Sequence, residues 1–498
     1  MAFMHVQLVK FYHTNWRSDY EIPTGFAVEP PLGIASLKAY IQSKNITCNT
    51  NVFYLSGEIS SLITETVQKE SKSNIQGILE SYKKNENLYK SIIYYSKKIL
   101  ELKPAVIGFS LYEDDYLMSL LVASFLKDLM PQLKIVCGGP QWGNLTQVKN
   151  VMLDFPFIDA VIVGEGEIGF KQYIDSLNGD FTGPISSSII RENGNIIENK
   201  VQIQVKMDDL PFPDFSDFKE TFFSSSKSTA ALSLTRGCIA RCRFCSEVNY
   251  WRTFRKLSPD KVIELLQHMN SKYGIRKFNF VDSLINGDLN WLKEVATKVV
   301  EKKLEIEWYS MCRVDPRMDS ALISLLSKSG CKELYLGVES YSQKTLNGMR
   351  KGVISENIEP FIERLHQAGI NVQPMYMFGY PDESIEDALL TIKHLKRVAD
   401  LCSGILVQRF YLQRNSNLQE TLNHNALSST SIDDAVYIDC SYLALENDLF
   451  VNIFGNTGYY NFNKYPESRQ QFREDLITFE LGLNNKNISS TQREPSKC

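Results

Sequence analysis

The chain is most tightly constrained between residues 230 and 252. A short apolar run, 230–234, leads through Thr235-Arg236-Gly237 into Cys238, Cys242 and Cys245, spaced C-x3-C-x2-C. Thiolates are soft ligands that select zinc, copper(I) or iron–sulfur clusters. A structural zinc site is ordinarily closed by four protein ligands. No histidine lies between His13 and His268, and the next cysteine is Cys312, so a fourth local ligand is hard to find. Three thiolates suit a 4Fe–4S cluster with one iron left open; a zinc knuckle and three unrelated packed thiols are the competing readings. Phe244 and the flanking Arg236, Arg241 and Arg243 fit a loop wrapped around a net-negative cluster.

Past the cysteines the chain repeats helix then strand. Helices are expected over 259–273, 289–302, 319–329, 355–368 and 384–399. Strands are expected over 277–282, 306–311, 333–338, 371–378 and 404–410. With the strand before Cys238 this makes six short strands, β-branched or aromatic, as a sheet buried on both faces requires. In barrels of this kind the chemistry sits at the strand C-terminal ends. The cysteines come directly after the first strand and so belong to that rim.

The N-terminal part alternates in the same way. Strands are expected over 6–11, 47–55, 104–110, 134–137 and 159–163, and helices over 34–41, where Pro30-Pro31-Leu32-Gly33 opens the segment, and 118–129. Residues 57–102 are polar and helical, with a broken apolar stripe through Ile63, Val67, Ile75, Ile78, Leu79, Tyr82, Leu88, Ile92 and Ile93. The pattern predicts an open parallel sheet, a Rossmann-like α/β domain over 1–182. Such sheets bind ligands beyond the strand C-terminal ends, where Ser110, Gly138, Gly139, Gly164, Glu165, Gly166 and Glu167 fall. A connector is expected over 183–225, with a hairpin around Asn193-Gly194 and a proline-punctuated boundary at 208–214. The repeat of six strands and five helices occupies 226–415. Residues 416–498 form an appendix whose aromatic stretch, 433–465, either caps the barrel mouth or makes its own core, and whose tail, 484–498, reads as disordered.

Composition limits the function classes. The chain has 498 residues, 43% of them hydrophobic and 22% charged, which is ordinary for two or three globular domains. A net charge of −4 gives no sign of a nucleic-acid binder. Ten cysteines are too sparse for a disulfide scaffold, and the clustered trio points to a reducing cytoplasm. Residues 1–11 do not read as a signal peptide, and no apolar run approaches the ~18 residues needed to span a bilayer. A soluble, oxygen-sensitive protein is expected.

The cysteine stretch resembles the signature of the radical S-adenosylmethionine (radical SAM) enzymes, C-x3-C-x-aromatic-C, in Cys238, Cys242, Phe244 and Cys245. The resemblance implies a partial (β/α)6 barrel and a 4Fe–4S cluster whose open iron is chelated by the amino and carboxylate groups of SAM. It implies reductive cleavage of the sulfonium to methionine and a 5′-deoxyadenosyl radical, which abstracts a substrate hydrogen. By the same resemblance Phe244 and Gly379-Tyr380-Pro381 place backbone against adenine. Gly337-Val338-Glu339-Ser340 supplies the acidic SAM ligand, Glu339. Ser310 and Arg313 end the third strand, with Arg313 suited to clamp the SAM carboxylate, and Asp282 bonds SAM or substrate. Glu339 pairing with a barrel lysine is the plainer alternative.

The N-terminal pieces Pro-Pro-Leu-Gly at 30–33, Gly-Phe-Ser at 108–110, Gly-Gly-Pro at 138–140 and Gly-Glu-Gly-Glu at 164–167 are similar to the cobalamin-binding domain that precedes many radical SAM domains. The family's Asp-x-His-x-x-Gly motif is missing, so a cobalamin here is expected to lack a histidine lower ligand, with Leu111 or Tyr112 covering that face. A sheet that has lost its cofactor is the alternative. The resemblance implies a cobalamin-dependent C-methyltransferase acting on an unactivated carbon of a small natural product or a peptide. A non-methylating cyclase, epimerase or oxidoreductase is the other reading. A low-potential electron donor such as flavodoxin or ferredoxin is implied as partner; nucleic acid and membrane are not. The methylthiotransferase branch needs more upstream cysteines than Cys48 and Cys137. Cys312, Cys331 and Cys402 read as packed thiols. His268, His366 and His394 lie on helices outside the barrel, and no general base is identified.

Overall fold

A computed structural model describes residues 4–13, 30–55, 59, 61–63, 82–111, 116–140, 145–223, 228–381, 383–410, 412–413, 416–418, 450, 453–454 and 457–491. It divides into two compact units. One is built on residues up to Ala231 together with Asn249–Trp251, the other on Leu232–Val248 and on residues from Arg252 onward.

The first unit holds a seven-stranded sheet: β1 (His5–His13), β2 (Thr47–Leu55), β3 (Val106–Ser110), β4 (Lys134–Gly138), β5 (Ala160–Ile162), β6 (Ser188–Glu192) and β7 (Asn195–Asn199). Their order is β2-β1-β3-β4-β5-β6-β7. The first five run parallel and the last two are added antiparallel. The order 2-1-3-4-5 is that of a doubly wound sheet, which places a ligand crevice at the strand C-terminal ends near the β1/β3 reversal. β3 is apolar along its length because both faces are covered. Val9, Phe11, Ile107 and Phe109 pack with Leu88 and Ile92 of the helix Glu86–Leu100 and with Leu120 and Leu121 of the helix Tyr116–Leu129. Asn193 and Gly194 both take left-handed φ, 48° and 80°, which the two-residue turn between β6 and β7 requires. That hairpin pairs with β5, so residues 188–199 extend the first sheet instead of forming the expected connector. Positions 67, 75, 78, 79 and 112 lie outside the described residues.

The second sheet comprises β8 (Thr229–Leu232), β11 (Lys277–Phe280), β12 (Glu307–Arg313), β13 (Cys331–Glu339), β14 (Asn371–Phe378), β15 (Gly404–Arg409) and β16 (Thr457–Asn461). Between β8 and β11 the chain makes a separate two-residue antiparallel ladder, β9 (Thr235–Arg236) with β10 (Arg255–Lys256). The sheet order is β16-β15-β14-β13-β12-β11-β8, with β11 to β15 parallel and β16 antiparallel on the edge. The six strands thus keep chain order, as the helix–strand repeat predicts, and the sheet stays open. Five of its helices start at side-chain caps: Ser258, Asp288, Asp319, Ser342 and Ser384 each accept an amide N–H from the first turn.

Two expectations for the appendix change. β16 pairs with β15, and the helix Ser468–Thr491 runs through residues expected to be disordered. Of the aromatic stretch, Phe450 and Phe454 pack with Phe378 and Phe479, ring centroids 4.9–6.0 Å apart, as part of this unit's core. Tyr437 and Tyr442 lie outside the described residues. No described helix is long and apolar enough to cross a membrane.

Candidate metal centre

The cysteine loop is closed at its base and laced along its length. The β9–β10 ladder brings its two ends together. The Leu257 amide donates to the Leu234 carbonyl at 2.9 Å, and the Thr235 amide donates to Asp282 Oδ1. Gly237, at φ 85°, makes the turn that side chains resist. Further along, the Arg243 amide donates to the Met349 carbonyl (2.9 Å), and the Leu418 amide donates to the Arg243 carbonyl (2.7 Å). The Ser246 amide donates to Gln413 Oε1 (3.1 Å), and Ser283 Oγ donates to Glu247. The loop is therefore a shaped element before anything binds to it.

Its three thiols are near enough to perturb one another. Burial raises the Cys238 pKa, and the Ala240 amide, Lys351 and Arg313 work against that rise. Burial pushes Cys245 up to about 12 against the Glu247 amide. Iron would therefore displace protons on binding. Among the described residues no three His, Cys, Asp or Glu side chains converge tightly enough to hold one metal ion. Electrostatically coupled thiols with cations beside them fit a polynuclear cluster, in which each thiolate takes its own iron.

The cations come from two places. Lys351, 7% exposed, pairs with Glu339 (Nζ–Oε1 2.8 Å) and lies 5.8 Å from the centre of the Phe244 ring. Burial disfavours the Lys351 charge, but Glu339 and Cys242 outweigh it and raise its pKa. A Cβ on Gly337 would stand 3.0 Å from both partners of this pair, so a larger residue there would push their side-chain ends aside. Arg313 ends β12, its backbone N–H and C=O both bonded by the side-chain amide of Asn286. Its guanidinium makes no hydrogen bond or ion pair among the described residues, and its charge acts on Cys238 and Lys351. Glu339 sits at φ 73°, unusual for a residue with a side chain, where the β13–β14 register slips past Val338. The chain just beyond it is pinned to the helix Ile385–Val398. Ser340 Oγ meets Thr391 Oγ1, Thr391 Oγ1 accepts the Tyr341 amide, and Ser342 Oγ donates to Asp387 (2.6 Å). Asn286, Gln413 and Glu383 carry no signal in the sequence. A lysine partner for Glu339 is foreseeable, but no local pattern singles out Lys351.

Several expected ligands are placed otherwise. Asp282 is buried and holds the loop base, and burial raises its pKa to about 7. Ser310 lies inside β12, fully buried, with Oγ donating to the Phe280 carbonyl. The Gly379 amide, at φ 86°, donates to the buried Glu383 carboxyl (2.6 Å), so Gly379 and Pro381 belong to a self-satisfied turn. Phe244 packs among Met349, Met377, Tyr380 and Phe410. Glu339 is engaged with a lysine, the plainer of its two expected roles. Cys312, Cys331 and Cys402 are buried thiols with raised pKa values. His394 is buried between Tyr376 (2.7 Å) and Glu359 (2.8 Å) and its pKa falls to about 4 by burial, so it is a packed neutral imidazole.

In the first unit, Ser110, Gly138 and Gly164 stand at the C-terminal ends of β3, β4 and β5, where a doubly wound sheet takes ligands. Leu111 is fully buried in the core and is not available to cover a cofactor face. A Cβ on Gly139 would strike the Leu111 carbonyl at 2.5 Å, so that glycine serves the chain's own packing. Glu165 caps the helix Gly166–Asn178 by position and is buried. Beside Gly164, the amide nitrogen of Gln202 is buried without a hydrogen-bond partner among the described residues, a donor that suits a polar ligand at this edge. Tyr250, within the same unit, donates to the Gly164 carbonyl at 3.2 Å.

Residues 232–394 match the radical SAM superfamily model. The chain is 25% identical over 307 residues to an uncharacterized methyltransferase of Pyrococcus horikoshii, covering 61% of this chain and 66% of that one. It is 23% identical over 306 residues to an anaerobic magnesium-protoporphyrin IX monomethyl ester cyclase of Rubrivivax gelatinosus, covering 60% and 55%. The chain thus spans between about half and two thirds of the length of these relatives. Its fold is similar to that of the radical SAM methyltransferase TsrM from Kitasatospora setae, solved with cobalamin and a [4Fe-4S] cluster bound, at a TM-score of 0.62 and 14% identity over 83% of this chain and 73% of that one.

Proposed function

With a radical SAM domain at its centre, we propose that this chain is a cobalamin-dependent radical SAM C-methyltransferase acting on a small natural product or a peptide. The observation that carries the reading is the joining of two units in one chain. One presents three coupled thiols on a laced loop; the other is a 2-1-3-4-5 sheet with an amide donor, unpartnered among the described residues, at its ligand edge. Cys238, Cys242 and Cys245 would hold a 4Fe–4S cluster, and the first sheet's edge at Ser110, Gly138, Gly164 and Gln202 would hold cobalamin. When bound, these groups supply an electron that cleaves SAM and a transferable methyl. The chain's own contribution is positioning. The ladder at the loop base and the Met349, Leu418 and Gln413 bonds fix the thiols. Arg313 offers a fork for the SAM carboxylate. The half-buried ring of Phe244 shields the loop beside the last thiolate. A low-potential carrier such as flavodoxin or ferredoxin would supply the electron.

The test is purification without oxygen from cells supplied with cobalamin, then extraction and absorbance, and assay for 5′-deoxyadenosine from SAM. About one cobalamin per chain with SAM cleavage supports the reading. SAM cleavage without cobalamin favours a non-methylating enzyme, the second reading, which the cyclase relative supports.

A further inference from the structure

We propose that Lys351 is a positioning residue that sets the reduction potential of the cluster, with Glu339 as its counterweight. The inference rests on the cluster proposed for Cys238, Cys242 and Cys245. Lys351 stands out because it is a buried cation met, among the described residues, by a single anion, in the 2.8 Å pair with Glu339. A second cation, Arg313, opposes its charge, and parts of the cysteine loop lie beside it. The ring of Phe244, one residue before Cys245, lies 5.8 Å away. Met349, two residues before the lysine, accepts the Arg243 amide from the middle of the loop at its carbonyl. The lysine's charge acts on Cys238, and Cys242 in turn acts on the lysine.

The chain maintains this arrangement at a cost. A Cβ at Gly337 would stand 3.0 Å from both partners, so a larger residue there would crowd the pair. Glu339 is held in a left-handed conformation by a register slip and by the Thr391 and Asp387 anchors. A surface salt bridge needs none of this. A fixed positive charge beside the cysteine loop favours the cluster state that carries one more electron, so Lys351 raises the midpoint potential. The Glu339 carboxylate lowers it and keeps the lysine aimed.

The experiment measures the midpoint potential by dithionite titration, monitored by electron paramagnetic resonance, on full-length anaerobic protein without SAM. Dithionite is the one-electron donor. Iron and sulfide content is measured alongside. Lys351→Met is expected to lower the potential and Glu339→Gln to raise it, at unchanged iron content, with Lys351→Arg close to wild type. A merely structural role would move both variants the same way or broaden the signal without a shift. Unchanged potentials, or shifts of one sign, overturn the inference while leaving the cluster reading intact. Should Lys351→Met lose its iron, Glu339→Gln and Lys351→Arg decide the matter by the same criterion. Wild-type protein lacking iron and sulfide overturns the cluster reading and the inference together.

Discussion

Asp282 and Glu383 are carboxyls that the fold buries. Burial raises Asp282 to about 7 and Glu383 to about 8, although amide N–H groups of Thr235 and Gly379 pull the other way. Both values lie above those of exposed carboxyls, so the folded chain holds these protons more tightly than the unfolded one. The stability linked to them is complete below about pH 4 and is lost as pH rises through the folded values toward 8. Glu383→Gln, which keeps an acceptor for the Gly379 amide, should flatten the fall in urea stability between about pH 6 and 8.5. A variant as steep as wild type would show that Glu383 is not the group responsible. At the thiols the expectation is simpler: alanine at Cys238, Cys242 or Cys245 should abolish retained iron and 5′-deoxyadenosine formation, while alanine at the buried Cys312 or Cys402 should leave both. Gly379→Ala, at φ 86°, should cost roughly 1–2 kcal/mol in urea unfolding. The three loop cysteines are legible in the sequence because their chemistry is written in their spacing. Asp282 and Ser310 are not, because a strand-end position does not reveal whether a side chain turns to the rim or into the sheet.

Among the elements, the second sheet is anchored at its far edge by β16 and the helix Ser468–Thr491. Phe479, 2% exposed, closes an aromatic cluster with Phe378, Phe450 and Phe454. Phe479→Ala should destabilise this unit by about 3–5 kcal/mol in denaturant unfolding, whereas an effect under about 1 kcal/mol would mean the helix is not part of the core. Helix positions from 259 to 410 are readable from periodicity because each helix buries one face, and strand positions because the strands are short apolar runs between those helices. The hairpin Ser188–Asn199 is legible as a hairpin, but its place in the first sheet is not. Turn chemistry specifies the local fold, and nothing in so short a segment states which sheet edge it will join.

At the scale of the whole molecule, two compact units each carry one candidate site, and this makes the sites separable. Cys242→Ala should lose iron while retaining the cobalamin of the wild type; parallel loss of both would show that the sites are not independently built. The sequence by itself determined the α/β class, the chain order of the second sheet's strands and the thiol loop, because period, turn residues and soft-ligand spacing are all local. Only the tertiary structure decided that β2 and β3 flank β1, that Leu111 is core, and that Lys351 reaches Glu339 and Phe244. These depend on which faces meet after collapse, and contact between residues 107 or 12 positions apart leaves no mark in their own neighbourhood of the chain.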